Sequence, residues 1–196
     1  MIDKIKKYLA EHGFVRNPEA ESLGVSRAML SFMAKNGELQ RVAQGVYALA
    51  DAIPDELLVI SNRSPNIVFS HETALALHKL HNRIPDKPTI TIPQDYRISR
   101  SIQKIVKTYR IKRVNHELGR TTVATFMGNQ VPCYDPERTI CDIIRSYSRM
   151  DIETYSNALR TYAKCPSRNV PRLMEYAKSL GIEEKVAKIM ELLIVS

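Results

Sequence analysis

The segment Asn17–Leu49, NPEAESLGVSRAMLSFMAKNGELQRVAQGVYAL, decides how the first part of the 196-residue chain folds. One helical pattern stops at Gly24, another begins after Ser26, and two β-prone runs follow around Gly45. Ser is a preferred N-cap residue, and Gly24 permits the left-handed backbone that a tight turn between two helices requires. We therefore predict two closely packed helices followed by a short hairpin.

The chain before this segment predicts a first helix over Met1–His12 that Gly13 closes. Its apolar residues recur at helical spacing: Ile2, Ile5, Tyr8 and Leu9. Asn17 is predicted to cap the second helix, which has Pro18 in its first turn. Ser26 is predicted to cap the third helix, Arg27–Lys35.

Small and apolar residues sit where a helix-turn-helix needs them, with Ala20 allowing close helix approach and Leu30 pointing inward. The β-prone runs Glu38–Val42 and Val46–Leu49 then form a hairpin. Three helices followed by a hairpin is the element order of a winged helix-turn-helix. We predict this domain at residues 1–50.

In a winged helix, the outward side of the third helix enters the major groove of DNA. The predicted contacts from this helix and its start are Ser26, Arg27, Ala28, Ser31 and Lys35. Arg27 suits the edge of a guanine, and Lys35 suits a phosphate. The predicted wing and backbone contacts are Arg41, Gln44, Lys6, Lys7 and Arg16.

Charge supports a polyanionic partner for the chain as a whole, because its 29 Lys and Arg residues outnumber its 21 Asp and Glu residues. Residues 1–49 carry only seven basic against five acidic residues. Winged helices also serve as protein-docking modules, and isolated basic side chains are often simply solvated. Both alternatives to DNA binding stay open at this point.

Residues 51–196 predict a mixed α/β domain with a helical tail, so the fold class is α+β. Strands are predicted at residues 67–69, 87–93, 109–114, 121–126 and 130–134. Helices are predicted at residues 56–61, 70–80, 136–144, 152–164, 170–180 and 183–194, with Asp135 capping the third of these.

A basic run lies in this second domain at Arg97, Arg100, Lys104 and Lys107, spaced by three, four and three residues. On a helix, this spacing places all four on one face. Arg110, Lys112 and Arg113 continue the run without an intervening acid. It is either a second nucleic-acid contact or a solvated face.

Cys133, Cys141 and Cys165 are odd in number and lack paired spacing, which argues against a disulfide framework or a zinc site. No signal peptide or membrane span is recognised, so we expect a soluble cytoplasmic protein. His71, His78 and His81 share a segment but suit capping and packing better than metal binding. Cys141 suits a buried thiol. We predict no enzyme activity, metal or cofactor.

Five stretches resemble the bacterial antitoxins of the abortive-infection E (AbiEi) systems, a type IV toxin–antitoxin family. They are Ala20–Leu30, Leu39–Tyr47, Phe69–His78, Thr89–Pro93 and Val131–Asp142, the last with the specific run Pro-Glu-Arg-Thr. The resemblance covers nearly the whole chain.

The resemblance implies a phage-defence protein that represses its own operon by binding inverted repeats in the promoter. It also implies that the second domain counters a nucleotidyltransferase toxin without a stable complex. We expect a monomer that binds paired half-sites cooperatively. Five residues match family positions that a helix cap and a buried ion pair explain structurally: His71, Asp135, Glu137, Arg138 and Asp142.

Two other classes of function stay open. One is a winged-helix transcription factor that responds to a small ligand. The other is an enzyme acting on nucleotides or nucleic acid, which would need clustered carboxylates for metal ions. The acids of this chain are scattered along the sequence.

Overall fold

The computed structural model describes residues 2–195 and divides the chain into two compact units, Met1–Ser64 and Pro65–Ser196. The fold is α+β, as predicted, with an N-terminal helix and wing pattern and C-terminal helices. The sequence placed a boundary after residue 50, whereas the first compact unit continues to Ser64. Met1 and the side chain of Ile2, both assigned to the first helix, lie outside the described residues.

The first unit combines short helices with a small antiparallel sheet in the strand order β1-β3-β2. Its elements are α1 (Ile2–His12), β1 (Val15–Arg16), α2 (Asn17–Ser22), α3 (Arg27–Lys35), β2 (Leu39–Ala43), β3 (Val46–Leu49) and α4 (Glu56–Ser61).

The caps of this unit follow the sequence at one helix and depart from it at another. Ser26 Oγ accepts from the N–H of Met29 at 3.2 Å, so α3 begins where predicted. Asn17 is not the cap of α2, because strand β1 ends at Arg16 and that residue takes the cap position. The Arg16 N–H donates to Glu19 at 2.8 Å, and the Asn17 N–H donates to the Gly45 carbonyl at 2.9 Å.

One apolar cluster holds the helices and the sheet of the first unit together. Its buried residues are Ile5, Leu9, Val15, Ala20, Val25, Leu30, Met33, Leu39 and Tyr47. Ala20 and Leu30 are both fully buried, as the helix-turn-helix spacing predicts, and Gly24 has a φ of +80° in the turn between α2 and α3. Because Leu30 and Met33 of α3 pack into this cluster, the opposite side of the helix faces outward.

The second unit contains a mixed sheet, in the strand order β6-β5-β4-β8-β7, with helices between its strands and after them. Its elements are β4 (Val68–Phe69), α5 (His71–Leu77), β5 (Thr89–Pro93), α6 (Arg100–Ile105), β6 (Lys107–Ile111), β7 (Arg120–Ala124), β8 (Gln130–Tyr134), α7 (Pro136–Arg145), α8 (Ile152–Lys164), α9 (Val170–Ser179) and α10 (Glu183–Val195).

Helix α7 lies at the centre of the apolar core of this unit, together with α8, α9 and α10. Asp135 caps it as predicted, accepting from the N–H of Arg138 at 2.8 Å. The buried Arg138 guanidinium pairs with Asp142 at 3.1 Å and donates to the carbonyls of Asn115 and Leu118. The predicted buried ion pair is thus confirmed, and it ties a loop to the helix.

That loop passes so close to α7 that only glycine fits at residue 119. Gly119 has a φ of +73°, and an added Cβ would lie 2.5 Å from Cβ of Arg138. Real carbon atoms do not approach so closely without movement of the backbone. The Pro-Glu-Arg-Thr run of α7 and the loop at Gly119 are therefore packed directly against each other.

Candidate nucleic-acid interface

Helix α3 has one exposed face, and it carries the residues that the sequence predicts to contact DNA. Leu30 and Met33 are buried on the inward side, which leaves the outward side free of the core. The exposed residues at helical spacing on that side are Ala28, Ser31, Phe32 and Lys35. Such a strip of small, aromatic and basic side chains on one helical face suits a major groove.

Arg27 is exposed at the start of α3, next to an acidic residue that the sequence analysis did not consider. Its Nε donates to Glu21 Oε1 at 2.7 Å, and the two side chains are 67% and 47% exposed. An ion pair this exposed stabilises a fold by about 0.2–1 kcal/mol. Arg27 can therefore exchange Glu21 for a base or a phosphate at small cost.

Phe32 is the exposed residue of α3 that the sequence analysis missed. Its ring is 57% exposed, four residues after Ala28 and three before Lys35. The signal was present in the sequence, because that spacing places Phe32 on the same helical face as both. In a major groove, Phe and Ala are the side chains that meet thymine methyl groups.

The hairpin of β2 and β3 is braced against the helices by specific contacts. Ser31 Oγ lies 3.3 Å from the hydroxyl of Tyr47, which joins α3 to β3. Gly45 has a φ of +71°, and an added Cβ would lie 2.9 Å from Nδ2 of Asn17. Arg41 and Gln44 are exposed on β2 and in the turn, as a contact with the DNA backbone requires.

The remaining basic candidates differ in how they are paired. Lys6 lies 2.9 Å from Glu38, and Arg16 lies 3.7 Å from Glu19. Within residues 2–195, no ion pair involves Lys7, Lys35 or Arg41, and each of these side chains is exposed. Lys7, Lys35 and Arg41 suit phosphate contacts better than Lys6 and Arg16, since they break no ion pair to make them.

Positive charge is distributed very unevenly between the two units. Residues 1–64 carry eight basic and eight acidic residues, whereas residues 65–196 carry 21 basic and 13 acidic residues. The whole formal charge of +8 therefore resides in the second unit. An isolated first unit would attract a polyanion only through the local arrangement of its charges.

The predicted basic helix face of the second unit is wrong as a single face. Helix α6 spans only Arg100–Ile105, because β6 begins at Lys107 and pairs in parallel with β5 over five residues. Arg97 precedes the helix, and Lys107 lies on the strand, 2.6 Å from Glu72. Arg110 donates to the backbone carbonyls of Gln94 and Tyr96 at 3.1 and 2.7 Å.

What remains exposed of that run is smaller than predicted. Arg97, Arg100 and Lys104 are exposed and make no ion pair among the described residues, and Lys112 is exposed as well. Arg113, which continues the run, pairs with Asp95 at 2.8 Å. A short basic patch of the three residues before Ile105 is thus available to a polyanion.

The histidines and cysteines considered for chemistry have structural partners. His78 Nε2 lies 2.7 Å from the Tyr134 carbonyl, and His71 lies between the hydroxyls of Ser70 and Ser146. Burial raises the pKa of the Cys141 thiol to about 12, so it is not a thiolate at neutral pH. Among the described residues, no three His, Cys, Asp or Glu side chains are grouped closely enough to hold a metal ion.

None of the helices in the described part of the chain combines the length and the apolar character that crossing a membrane demands.

Comparison with known families finds a match over the first part of the chain. Residues 3–50 match the model of the AbiEi antitoxin transcriptional regulators, the family that the sequence resembles. The match covers α1 to β3, which include α3 and the hairpin but not the basic patch of the second unit. It supports a resemblance of the first unit to the AbiEi-type antitoxin regulators.

Solved structures and curated proteins add little to this. The chain is similar to the crystal structure of the RV2827C protein from Mycobacterium tuberculosis, with 14% sequence identity and a TM-score of 0.49. The similarity covers 98% of this chain and 80% of that one. No curated protein matches the chain.

Proposed function

We propose that this protein is a cytoplasmic type IV antitoxin and autorepressor that binds inverted repeats in its own promoter through a winged helix-turn-helix. The observation that carries the proposal is the exposed face of α3, which starts at Arg27 and lies beside a braced hairpin. Its second unit counters a nucleotidyltransferase toxin without forming a stable complex. This proposal assigns no catalytic role and no cofactor to the chain.

In the proposed complex, α3 lies in the major groove and reads bases through its first two turns. Arg27 donates to a guanine edge once it leaves Glu21, and Ala28 and Phe32 contact thymine methyl groups. Lys35 contacts a phosphate at the far end of the helix. Ser31, held by Tyr47, fixes the hairpin relative to α3.

Phosphate contacts position the protein without reading sequence. We assign them to the start of α3 and to exposed residues around it: Ser26, Lys7, Arg41, Gln44, and less directly Lys6 and Arg16. The patch of Arg97, Arg100 and Lys104 is a second contact with nucleic acid. Lys107 and Arg110 are assigned no contact with nucleic acid, since Lys107 pairs with Glu72 and Arg110 donates to two backbone carbonyls.

The test measures binding of the full chain to fluorescent duplexes by anisotropy at several salt concentrations. One duplex carries the promoter of its own gene, and the other carries the same bases in scrambled order. We expect the promoter duplex to bind more tightly, because base contacts add to the phosphate contacts. Equal affinity for both duplexes at moderate salt would refute the proposal.

Arg27→Ala separates base reading from general attraction. We expect the preference for the promoter to fall by about 5- to 150-fold, the equivalent of one bidentate contact worth about 1–3 kcal/mol. Lys4→Ala is the matched control, because it removes one exposed positive charge of α1 that is assigned no base. It should leave the preference unchanged.

Assembly on DNA is tested by sedimentation. We expect a monomer in the absence of DNA and two copies on a duplex with both half-sites. A tight dimer without DNA would contradict this part of the proposal.

Antitoxicity is tested by growth. The toxin is expected from a neighbouring reading frame that encodes a nucleotidyltransferase. Full-length Arg27→Ala should still rescue growth when co-expressed with it, although it no longer represses the promoter. Loss of both activities together would argue against assigning them to different units.

A further inference from the structure

A polar cavity of about 260 Å³ lies in the second unit and has no part in the proposed DNA contacts of α3 and the hairpin. Three arginines and four residues with hydroxyl groups line it. The lining residues used below are His71, Thr91, Tyr109, Arg145, Ser146 and Arg149, with Asp142. Such a combination of guanidinium and hydroxyl donors is typical of sites for oxygen-rich anions.

The wall of this cavity contains a histidine whose backbone lies in the left-handed region, which residues other than glycine rarely adopt. His71 has a φ of +47° and its side chain is buried. Its ring stacks on Tyr109, with 3.4 Å between the ring centroids and 11° between the planes. Strained residues held by their surroundings cluster at ligand sites. His71 is held from several sides.

The hydrogen bonds of His71 lead in one direction, towards the cavity. Thr91 donates to Ser70 Oγ at 2.7 Å, and Ser70 Oγ lies 2.9 Å from His71 Nδ1. His71 Nε2 lies 3.1 Å from Ser146 Oγ. With a neutral ring that accepts from Ser70 and donates to Ser146, the hydroxyl proton of Ser146 is left to face the cavity. Burial and nearby cations lower the pKa of His71, which keeps the ring neutral at pH 7.

Two arginines of the cavity, Arg145 and Arg149, keep hydrogen-bond donors free. Arg149 makes no ion pair among the described residues, and its guanidinium carbon lies 4.2 Å from the centroid of the Tyr109 ring. Arg145 has one ion pair, at 3.5 Å to Asp142. Asp142 is the one carboxylate among the lining residues, and the buried Arg138 already balances it at 3.1 Å. The cavity therefore has a net positive charge.

We propose that this cavity binds the phosphate group of a small molecule, either a nucleotide or inorganic phosphate or pyrophosphate. Arg145 and Arg149 donate charge-assisted hydrogen bonds to the phosphate oxygens, and the Ser146 hydroxyl donates a further hydrogen bond. The volume is close to the lower limit of about 300 Å³ for ligand pockets, so it suits phosphoryl groups rather than a whole nucleotide. The rest of a larger ligand lies outside.

Calorimetry on the full chain without DNA tests this inference independently of promoter binding. Inorganic phosphate, pyrophosphate, ATP and sulfate are titrated in turn at constant ionic strength. We expect saturable binding at one site, with pyrophosphate tighter than sulfate. Tighter binding of ATP than of pyrophosphate would identify nucleotides as the ligand class. Otherwise the ligand class is inorganic phosphates. No saturable binding of any phosphate would overturn the inference.

A double variant, Arg145→Gln with Arg149→Gln, should weaken pyrophosphate binding by at least about tenfold, because two charge-assisted hydrogen-bond donors are lost. The control, Arg160→Gln with Lys164→Gln, removes the same charge from exposed positions of α8 elsewhere in the unit. An equal loss in the control would show general attraction rather than a site, and so overturn the inference.

A milder variant and a local signal guard against misfolding of the double variant. Ser146→Ala leaves the charge unchanged, and we expect it to weaken pyrophosphate binding by a few-fold, about the effect of one hydrogen bond. In the unsubstituted chain, ring resonances of His71 in NMR spectra should shift with the same saturation curve as the calorimetry. Binding that leaves these resonances unmoved would place the ligand elsewhere.

Discussion

Glu21 restrains Arg27 in the free protein, so its removal should strengthen binding to the promoter. The pair lies at 2.7 Å and is largely exposed, which limits its contribution to about 0.2–1 kcal/mol. If Arg27 must leave Glu21 to reach a base, binding to DNA breaks the ion pair and loses its stabilising free energy. Glu21→Ala removes that loss, because the ion pair is already absent from the free protein. The expected gain in affinity is about 1.4- to 5-fold. Alanine is a good helix former, so α2 should remain intact.

Loss of any acidic residue near DNA also strengthens binding by reducing repulsion from phosphates, and this effect must be separated. Glu11→Ala is the control, because Glu11 is an exposed acid of α1 without an ion pair among the described residues. A purely electrostatic gain should be similar for promoter and scrambled duplexes. The gain from Glu21→Ala should be larger on the promoter.

A double-mutant cycle measured by anisotropy decides the matter. In the Arg27→Ala background, Glu21→Ala should lose its promoter-specific gain, since there is no side chain left to release. If Glu21→Ala strengthens binding equally with and without Arg27, then Arg27 is not the base-reading residue. The assignment of specificity to the start of α3 would then be refuted.

Three further predictions concern the second unit. Gly119→Ala should destabilise the fold by about 1–3 kcal/mol in urea denaturation, because its Cβ would lie 2.5 Å from Arg138; Gly128→Ala, also at positive φ but in open space, should cost less. Burial lowers the pKa of His71, so the unfolded chain binds a proton that the folded chain does not below the ordinary value of 6.5. Stability should therefore fall on acidification below that pH by up to about 1.4 kcal/mol per pH unit, and His71→Gln should flatten this slope. Lys104→Ala should weaken promoter and scrambled duplexes alike and reduce the salt dependence by about one phosphate contact; an unchanged salt slope would leave Lys104 a solvated charge.

Local signals in the sequence predicted the helices well. Ser26 and Asp135 cap α3 and α7 where expected, since a cap depends on one side chain and the next three backbone groups. Strand β8 and helix α8 also begin and end at the predicted residues. In each case, the information lies within a few residues of the element.

Non-local pairing explains what could not be predicted. Strand β1 has only two residues, and it exists because Val15 and Arg16 pair with β3 some thirty residues later. The segment from Arg97 to Lys107 has helical spacing, yet parallel pairing with β5 makes Lys107 part of a strand. Backbone pairing between distant segments outweighs a local helical preference.

The candidate interface was predictable in outline but not in its partners. Helical periodicity places Ala28, Ser31 and Lys35 on one face, and the same reasoning should have included Phe32. The pairing of Arg27 with Glu21 and of Ser31 with Tyr47 depends on how helices and hairpin pack. No spacing rule gives those contacts.

The uneven distribution of charge has a kinetic consequence. An electrically balanced head meets DNA at the rate of a neutral protein, whereas a strongly cationic body draws a polyanion in through solution. Shortening the chain to its first 64 residues should therefore lower the association rate constant for DNA more than it lowers the preference for the promoter over the scrambled duplex. Under the proposed function, the rate of arrival on DNA and the recognition of a site then depend on different parts of the chain.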